Sequence, residues 1–72
     1  MDETNIYKLE NNIDYMEIDS INYKNNKYVL LSNINNSKDV CIRKVGLDNY
    51  IYRLDNNELN EVINLFIKEN KI

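Results

Sequence analysis

The spacing of the apolar residues changes once along the chain, at Asp55, and this change constrains the fold most. Before Asp55 apolar and polar residues alternate, which is the pattern of half-buried β-strands. After Asp55 five apolar residues recur at the spacing of one helical face. These residues are Leu59, Val62, Ile63, Phe66 and Ile67. The sequence therefore predicts several strands followed by one C-terminal amphipathic helix.

Asparagine pairs and a predicted turn at Gly46-Leu47-Asp48-Asn49 divide the first part of the chain into five predicted strands. The predicted strands are residues 5–9, 13–24, 27–34, 40–45 and 50–54. Because asparagine tolerates positive φ, Asn25-Asn26 is predicted to form a two-residue hairpin loop, and residues 35–39 a polar loop. The alternation in the second strand slips by one residue near Asp19 and Ser20, which predicts a bulge or a sharp bend there.

The predicted helix covers residues 56–70, with Asp55 and Glu58 in the positions of a capping box. Its apolar face must be buried, and the predicted sheet is the surface available to bury it. We therefore expect one α+β domain over residues 1–72, a curved antiparallel sheet of four to five strands covered by this helix. A sheet that curls more strongly would form a partly closed barrel.

The composition removes most of the side chains used for catalysis near neutral pH. The chain has no histidine, one cysteine (Cys41) and one glycine (Gly46). A catalytic thiol usually needs a histidine beside it, and a phosphate-binding loop needs several glycines. The carboxylates of residues 14–19 lack the spacing of a calcium loop. We therefore expect no enzyme, no cofactor and no metal site.

The charges fall into an acidic, a basic and an acidic block. Residues 1–20 hold six acids and one lysine, residues 21–54 hold six bases and two acids, and the remainder holds four acids and two lysines. This distribution indicates either ion pairs between neighbouring strands or a bipolar surface that binds a partner. The candidate partner-binding residues are Asp14, Glu17, Asp19, Arg43, Tyr52, Arg53 and Leu65.

Two other partners fit the residue pattern. Tyrosines alternate with lysines and arginines in residues 23–53, as on sheets that bind single-stranded nucleic acid, although the net charge of −3 opposes a polyanion. Leu65 and Ile72 fall outside the predicted apolar stripe of the helix, and together they could form a homodimer contact or a contact with another partner.

Three stretches follow the order of motifs in a known family: Asp-Ser-Ile-Asn-Tyr at 19–23, Tyr-Val-Leu-Leu at 28–31, and an acidic cap with a late phenylalanine at 55–66. In these stretches the chain resembles the YrzB-like family of short bacterial proteins with a domain of unknown function. The resemblance implies the same fold, a bacterial or phage origin, and no assigned catalytic residues.

The predicted function is that of a non-enzymatic protein-interaction module. One specific version is a phage-encoded inhibitor of a host defence nuclease, similar to an anti-CRISPR protein. Residues 1–20 lack the basic and apolar pattern of a signal peptide, and no apolar run approaches the length of a membrane span. We therefore expect a cytoplasmic protein that does not enter a membrane.

Overall fold

The computed structural model describes residues 5–48 and 50–72. Five antiparallel strands form one sheet in chain order, and a helix follows them. The sheet curls into a half-barrel, which confirms the predicted α+β class with a curved sheet and one C-terminal helix. The elements are β1 (Ile6–Lys8), β2 (Asp14–Tyr23), β3 (Asn26–Asn33), β4 (Asn36–Val45), β5 (Ile51–Tyr52) and α1 (Asn56–Lys68).

The hairpin between β2 and β3 turns one residue earlier than predicted. Tyr23 pairs with Asn26, so the two loop residues are Lys24 and Asn25 and not Asn25-Asn26. Both loop residues have positive φ, 52° and 65°. A two-residue loop with this geometry matches the twist of the strands it joins. Asn25 therefore plays its predicted role, while a lysine occupies the position expected for an asparagine.

The prediction of a polar loop over residues 35–39 was wrong. Asn33 pairs with Asn36, so the chain turns at Ile34 and Asn35 and the next strand begins at once. Exposed polar side chains fill the start of β4, and its pairing with β3 is irregular there. Asn36 pairs with Asn33, and the next paired residue is Val40, opposite Ser32, so residues 37–39 lie between two paired positions. β5 is also shorter than predicted, since only Ile51 and Tyr52 pair with β4.

A bulge divides β2 into two parts with opposite alternation. Glu17 pairs with Leu31 and Asp19 pairs with Leu30, so Ile18 is the extra residue. The bulge lies one residue before the predicted position. Because directly paired residues share a face of an antiparallel sheet, the side chain of Glu17 lies on one face and that of Asp19 on the other.

The sheet buries a separate apolar cluster on each face. We call the face that α1 covers the helix side and the opposite face the inner side. The helix-side cluster consists of Ile21, Tyr28, Leu30, Ile42, Val62 and Phe66. The inner cluster consists of Leu9, Tyr15, Val29 and Leu31. Val29 and Leu31 are completely inaccessible although α1 lies on the other face, so the curl of the sheet itself buries them.

The helix begins and ends with paired backbone groups. The Asp55 carboxylate accepts the backbone N–H of Glu58 at 2.7 Å, which confirms the predicted N-cap. At the other end Asn70 has a φ of 59°, and the N–H of Lys71 donates to the carbonyl of Phe66. This is the pattern of a Schellman motif, so the helix ends at Lys68 and not at residue 70.

The helix is rotated slightly from its predicted orientation. Val62 and Phe66 are fully buried, whereas Ile67, which was predicted to face the sheet, is 53 % exposed. Leu65, predicted to lie outside the stripe, packs against the helix-side cluster instead. At 100° per residue Leu65 lies nearer to the Val62–Phe66 direction than Ile67 does, which accounts for the exchange.

Candidate functional site

The three acidic candidates do not share one face of the sheet, because the bulge leaves Glu17 on the inner side while Asp14 and Asp19 lie on the helix side, five residues apart on β2. The Asp14 carboxylate lies 3.5 Å from the ammonium of Lys8, at the end of the first hairpin. The Asp19 carboxylate lies on the helix side and accepts a 2.9 Å hydrogen bond from Lys71. This hydrogen bond, helped by the backbone N–H of Ser20, lowers the pKa of Asp19. The predicted acidic surface is therefore split between different parts of the fold.

Glu17 is the most enclosed of the acidic candidates. Its carboxylate accepts hydrogen bonds from the Tyr7 hydroxyl at 3.0 Å and from the Asn5 amide at 3.3 Å. The Lys27 ammonium lies 3.8 Å away on the neighbouring strand. Burial and this hydrogen bond to Glu17 raise the pKa of Tyr7. With these donors around it, Glu17 holds β1, β2 and β3 together.

The two basic candidates meet at Glu10, in the turn between β1 and β2. The guanidinium of Arg43 donates to the Glu10 carboxylate at 3.1 Å, and the Nε of Arg53 lies 3.8 Å from the same oxygen. The pKa of Glu10 is lowered, first by a hydrogen bond with its own backbone and then by these two arginines. One carboxylate thus faces two cations, which leaves an excess of positive charge at this corner of the half-barrel.

Arg43 and Arg53 differ in how far they are exposed. The Arg43 side chain lies on the inner side and is mostly buried, and its Nη1 also donates to the carbonyl of Ile42 at 3.3 Å. Its Nε is buried without a hydrogen-bond partner among the described residues. The Arg53 side chain is 78 % exposed. Arg53 is therefore the cation at this corner that a partner can reach.

The inner side contains a polar network that the sequence did not reveal. The Tyr15 hydroxyl donates to the Asp39 carboxylate at 2.6 Å, and the Asn33 amide donates to the same oxygen at 3.2 Å. These hydrogen bonds lower the pKa of Asp39, and the bond to Asp39 raises the pKa of Tyr15. The network joins β2 to β4 across the intervening strand β3.

A second network joins the sheet to the helix. The Tyr28 hydroxyl donates to the Glu58 carboxylate at 2.7 Å, and Lys44 donates to the same oxygen at 3.2 Å. Burial, with the hydrogen bond to Glu58, raises the pKa of Tyr28 to about 12. Glu58 was predicted as part of the helix cap, and its carboxylate instead contacts two strands.

Tyr52 stands beside a second exposed tyrosine near the end of the sheet. The ring centres of Tyr50 and Tyr52 are 6.5 Å apart in an edge-on arrangement. The Tyr52 hydroxyl donates to Asp48 at 2.9 Å, and this bond raises the pKa of Tyr52. A Cβ at Gly46 would lie 2.6 Å from the Tyr52 ring, so the glycine is what allows the ring to lie there.

A row of residues on the helix side is left uncovered by the helix. Pairing across four strands aligns Ile6 with Met16, Met16 with Ser32, and Ser32 with Val40. Ser32 lies two residues beyond Leu30 on β3, so this row shares the face that α1 packs against. Ile6, Met16 and Val40 are 53 %, 38 % and 51 % exposed, whereas Ser32 between them is buried. We call Ile6, Met16 and Val40 the uncovered row.

A groove adjoins the uncovered row at Val40. It has a volume of about 560 Å³ and runs between β4 and the first half of α1. One wall is formed by consecutive residues of β4 from Val40 to Arg43, and the other includes Leu59 and Ile63 of the helix. Ile72, 56 % exposed, also lines it, whereas Leu65, with which it was predicted to form a homodimer contact, packs against the helix-side cluster. We call this the edge groove.

Other kinds of site find little support in the described part of the chain. Within residues 5–48 and 50–72 no three acidic or cysteine side chains come together in a way that could hold a metal ion. Burial raises the pKa of the half-buried Cys41 thiol, which makes it a poorer nucleophile. In the same residues no helix combines the length and the apolar character that crossing a membrane requires.

Sequence reasoning did not single out the residues of the uncovered row, although it named Arg43 and Arg53, which line the edge groove. The predicted strand over residues 40–45 was not expected to lie beside an open edge. The signal that could have identified the row is the pairing of Met16, whose face depends on the position of the bulge.

Comparison with known proteins gives no relative from which a site could be transferred. No family model matches the chain, and neither the curated proteins nor the solved structures yield a significant match. The resemblance to the YrzB-like family, drawn from three short stretches, therefore gains no support from these comparisons.

Proposed function

We propose that this chain is a non-enzymatic, cytoplasmic protein-interaction module of bacterial or phage origin. The single observation that carries the proposal is the uncovered row on the helix side of the sheet. Exposed Ile6, Met16 and Val40 lie in line across the sheet with Ser32 between them. An apolar surface of this kind, with polar residues around it, is typical of a contact site for another protein.

Two of the charged candidates contribute to this proposal as a rim rather than as the centre of the interface. Asp14 and Asp19 lie on the same face as the uncovered row and already contact Lys8 and Lys71, whereas Glu17 and Arg43 lie on the inner side. Exposed ion pairs of this kind add little free energy, but charges at the rim of an interface affect the rate and salt dependence of association. The bipolar charge distribution is thus proposed to steer the partner towards the uncovered row.

The experiment is affinity capture from a bacterial lysate with three immobilised proteins: the wild type, Met16→Lys and Leu47→Lys. Met16→Lys places a charge in the uncovered row without altering β4. Leu47→Lys is the matched control, because Leu47 is fully exposed and lies outside the row. We expect the wild type and Leu47→Lys to retain the same salt-sensitive protein, and Met16→Lys to lose most of it.

Equal capture by Met16→Lys and by the control would contradict this proposal, as would retention of no protein at low salt. Circular dichroism of all three proteins shows whether the substitutions leave the fold intact. If the captured protein is a nuclease, its activity with and without this chain would test the specific version in which the chain is a phage-encoded inhibitor of a host defence enzyme.

A second candidate function is binding of single-stranded nucleic acid, and one observation favours it. Tyr50 and Tyr52 are 67 % and 43 % exposed, and the exposed Arg53 follows them directly. Exposed rings beside a cation suit base stacking and phosphate contact. Tyr52→Ala and Arg53→Ala should each weaken a gel shift of a labelled single-stranded oligonucleotide. The absence of any shift at low salt would exclude this function.

A further inference from the structure

The strand β4 has an open edge along most of its length. β5 pairs only with Lys44 and Val45, while β4 begins at Asn36. Among the residues that the structure describes, no strand pairs with the outer side of β4 before Lys44. An open strand edge presents backbone groups that another strand can bind.

The direction of the backbone groups identifies which residues of β4 are available. The N–H of Gly46 donates to the carbonyl of Tyr50, towards β5. Backbone groups alternate between the two sides of a strand, and the register from Val40 to Val45 is regular. The N–H and C=O groups of Val40 and Ile42 therefore point outward. Arg43 Nη1 reaches the Ile42 carbonyl, which agrees with that carbonyl facing away from β3.

The edge groove lies along these outward groups. A strand added beside Val40 and Ile42 would place every second side chain on the helix side, where Leu59, Ile63 and Ile72 form the groove wall. Those positions suit apolar side chains. The alternate side chains would lie on the same side as Arg43, next to the corner where two arginines share Glu10.

The charge at the groove distinguishes between possible occupants. Arg43 and Arg53 are the charged residues among those that line it, and both have the same sign. An added strand with acidic residues at the alternate positions would balance them. A second copy of this chain fits less well, because its β4 brings the cations Lys38 and Arg43 with it, while its one acid, Asp39, already accepts hydrogen bonds from Tyr15 and Asn33.

We propose that β4 binds an extended peptide segment as an additional antiparallel strand, with apolar residues alternating with acidic ones. This is strand addition at a sheet edge, in which main-chain hydrogen bonds supply affinity and the groove supplies selection. The inference deepens the proposed function, since it names the chemistry of a partner segment beside the uncovered row.

The test uses a fluorescein-labelled peptide in which valine and glutamate alternate, measured by fluorescence anisotropy with the full chain. The first comparison peptide has N-methyl groups on the amides of one side only, so that it cannot donate to β4 from that side. A peptide methylated on the other side is its control. We expect methylation on one of the two sides to weaken binding by about tenfold or more, because several backbone hydrogen bonds are lost.

Two protein variants test the same interface. Val40→Pro removes an outward N–H without removing a hydrogen bond to β3. Arg53→Glu reverses the exposed charge at the groove and should shift preference towards a peptide of alternating valine and lysine. Lys24→Glu makes the same charge change in the β2–β3 turn, away from the groove, and should not alter peptide preference. If Val40→Pro fails to fold, the methylated peptides still decide the outcome.

Equal binding of both methylated peptides and the unmodified one would overturn the proposal, as would the absence of binding at millimolar concentration. Self-association of the wild type that Val40→Pro abolishes would show that a second copy occupies the edge, and would overturn it too. If the peptide does not bind, but the lysate protein is still captured by the wild type and lost by Met16→Lys, only this inference is refuted. If the peptide binds but no lysate protein is captured in a way that depends on Met16, the inference is supported and the role of the uncovered row is refuted.

Discussion

The hydroxyl of Tyr28 donates a 2.7 Å hydrogen bond to the carboxylate of Glu58, thirty positions later in the chain. Tyr28 lies in the middle of the sheet and Glu58 in the first turn of the helix, so the bond fixes where α1 lies on the strands. The Glu58 carboxylate also accepts a hydrogen bond from Lys44, and the backbone N–H of Glu58 donates to the Asp55 carboxylate. Glu58 therefore links the helix start to two strands and to its own cap.

Tyr28→Phe should lower the free energy of unfolding by about 1–2 kcal/mol, since it removes a buried hydrogen bond to a charged group but keeps the ring. Because the folded-state pKa of Tyr28 is raised from 10.0 to about 12, its contribution is fully present below pH 10 and is lost as the pH rises to 12. Urea unfolding between pH 8 and pH 12 should therefore show a smaller alkaline loss for the variant than for the wild type. Parallel pH profiles for both proteins would contradict the role of this bond.

Asp55→Ala should destabilise the protein by about 1 kcal/mol, because it leaves the Glu58 backbone N–H without its cap. Asp55→Ser keeps an oxygen at the same place and is the matched control. Urea unfolding at pH 7 measures both. A loss of stability in the serine variant as large as that in the alanine variant would show that the cap is not what Asp55 contributes.

Tyr15→Phe should raise the pKa of Asp39 towards its ordinary value, because the Tyr15 hydroxyl is the main cause of its lowered pKa. A lowered folded-state pKa contributes stability that is present above the unfolded value and is lost as the pH falls. The variant should therefore lose less stability than the wild type between neutral pH and pH 2. Carbon-detected NMR titration of the Asp39 carboxyl measures the pKa directly, and an unchanged value would rule out this coupling.

Gly46→Ala should displace the Tyr52 ring, which lies only 2.6 Å from where the new Cβ would be. The hydrogen bond from Tyr52 to Asp48 would then weaken, and the pKa of Tyr52 should fall towards 10.0. Ultraviolet titration of the phenol measures this shift. In a Tyr52→Ala background the Gly46→Ala change should lower the melting temperature less, since the ring is gone and Asp48 Oδ1, 2.7 Å from the new Cβ, is the obstruction that is left. An equal loss in both backgrounds would show that the ring is not what requires glycine at this position.

Local spacing predicted the helix and its cap correctly, because apolar periodicity and capping depend on residues close in sequence. It misplaced the start of β4, because the strand begins at Asn36 in an exposed polar stretch that carries no apolar alternation. The turn at Lys24 was missed by one residue because lysine carries no sequence signal for positive φ. The bulge was predicted to within one residue of its observed position, because a slip in the alternation of apolar and polar residues is visible in the sequence itself.

The candidate site was predicted less well than the fold. Glu10 and Arg43 are far apart in the sequence, so their contact could not be read from spacing. Leu65 was expected at the surface and packs against the core, because its position depends on the exact rotation of the helix. The open edge of β4 arises because β5 is short. Residues 50–54 were predicted to form a strand, and only Ile51 and Tyr52 pair with β4.

The extra residue Ile18 changes the shape of β2 rather than its register. Since Glu17 pairs with Leu31 and Asp19 with Leu30, removing Ile18 would join these pairs into an uninterrupted ladder, and Ile21 would still lie opposite Tyr28. What the deletion would remove is the local bend and added twist that a bulge gives its strand. We therefore expect a chain shortened by this residue to keep its strand partners and to form a flatter sheet, one that encloses Val29 and Leu31 less completely.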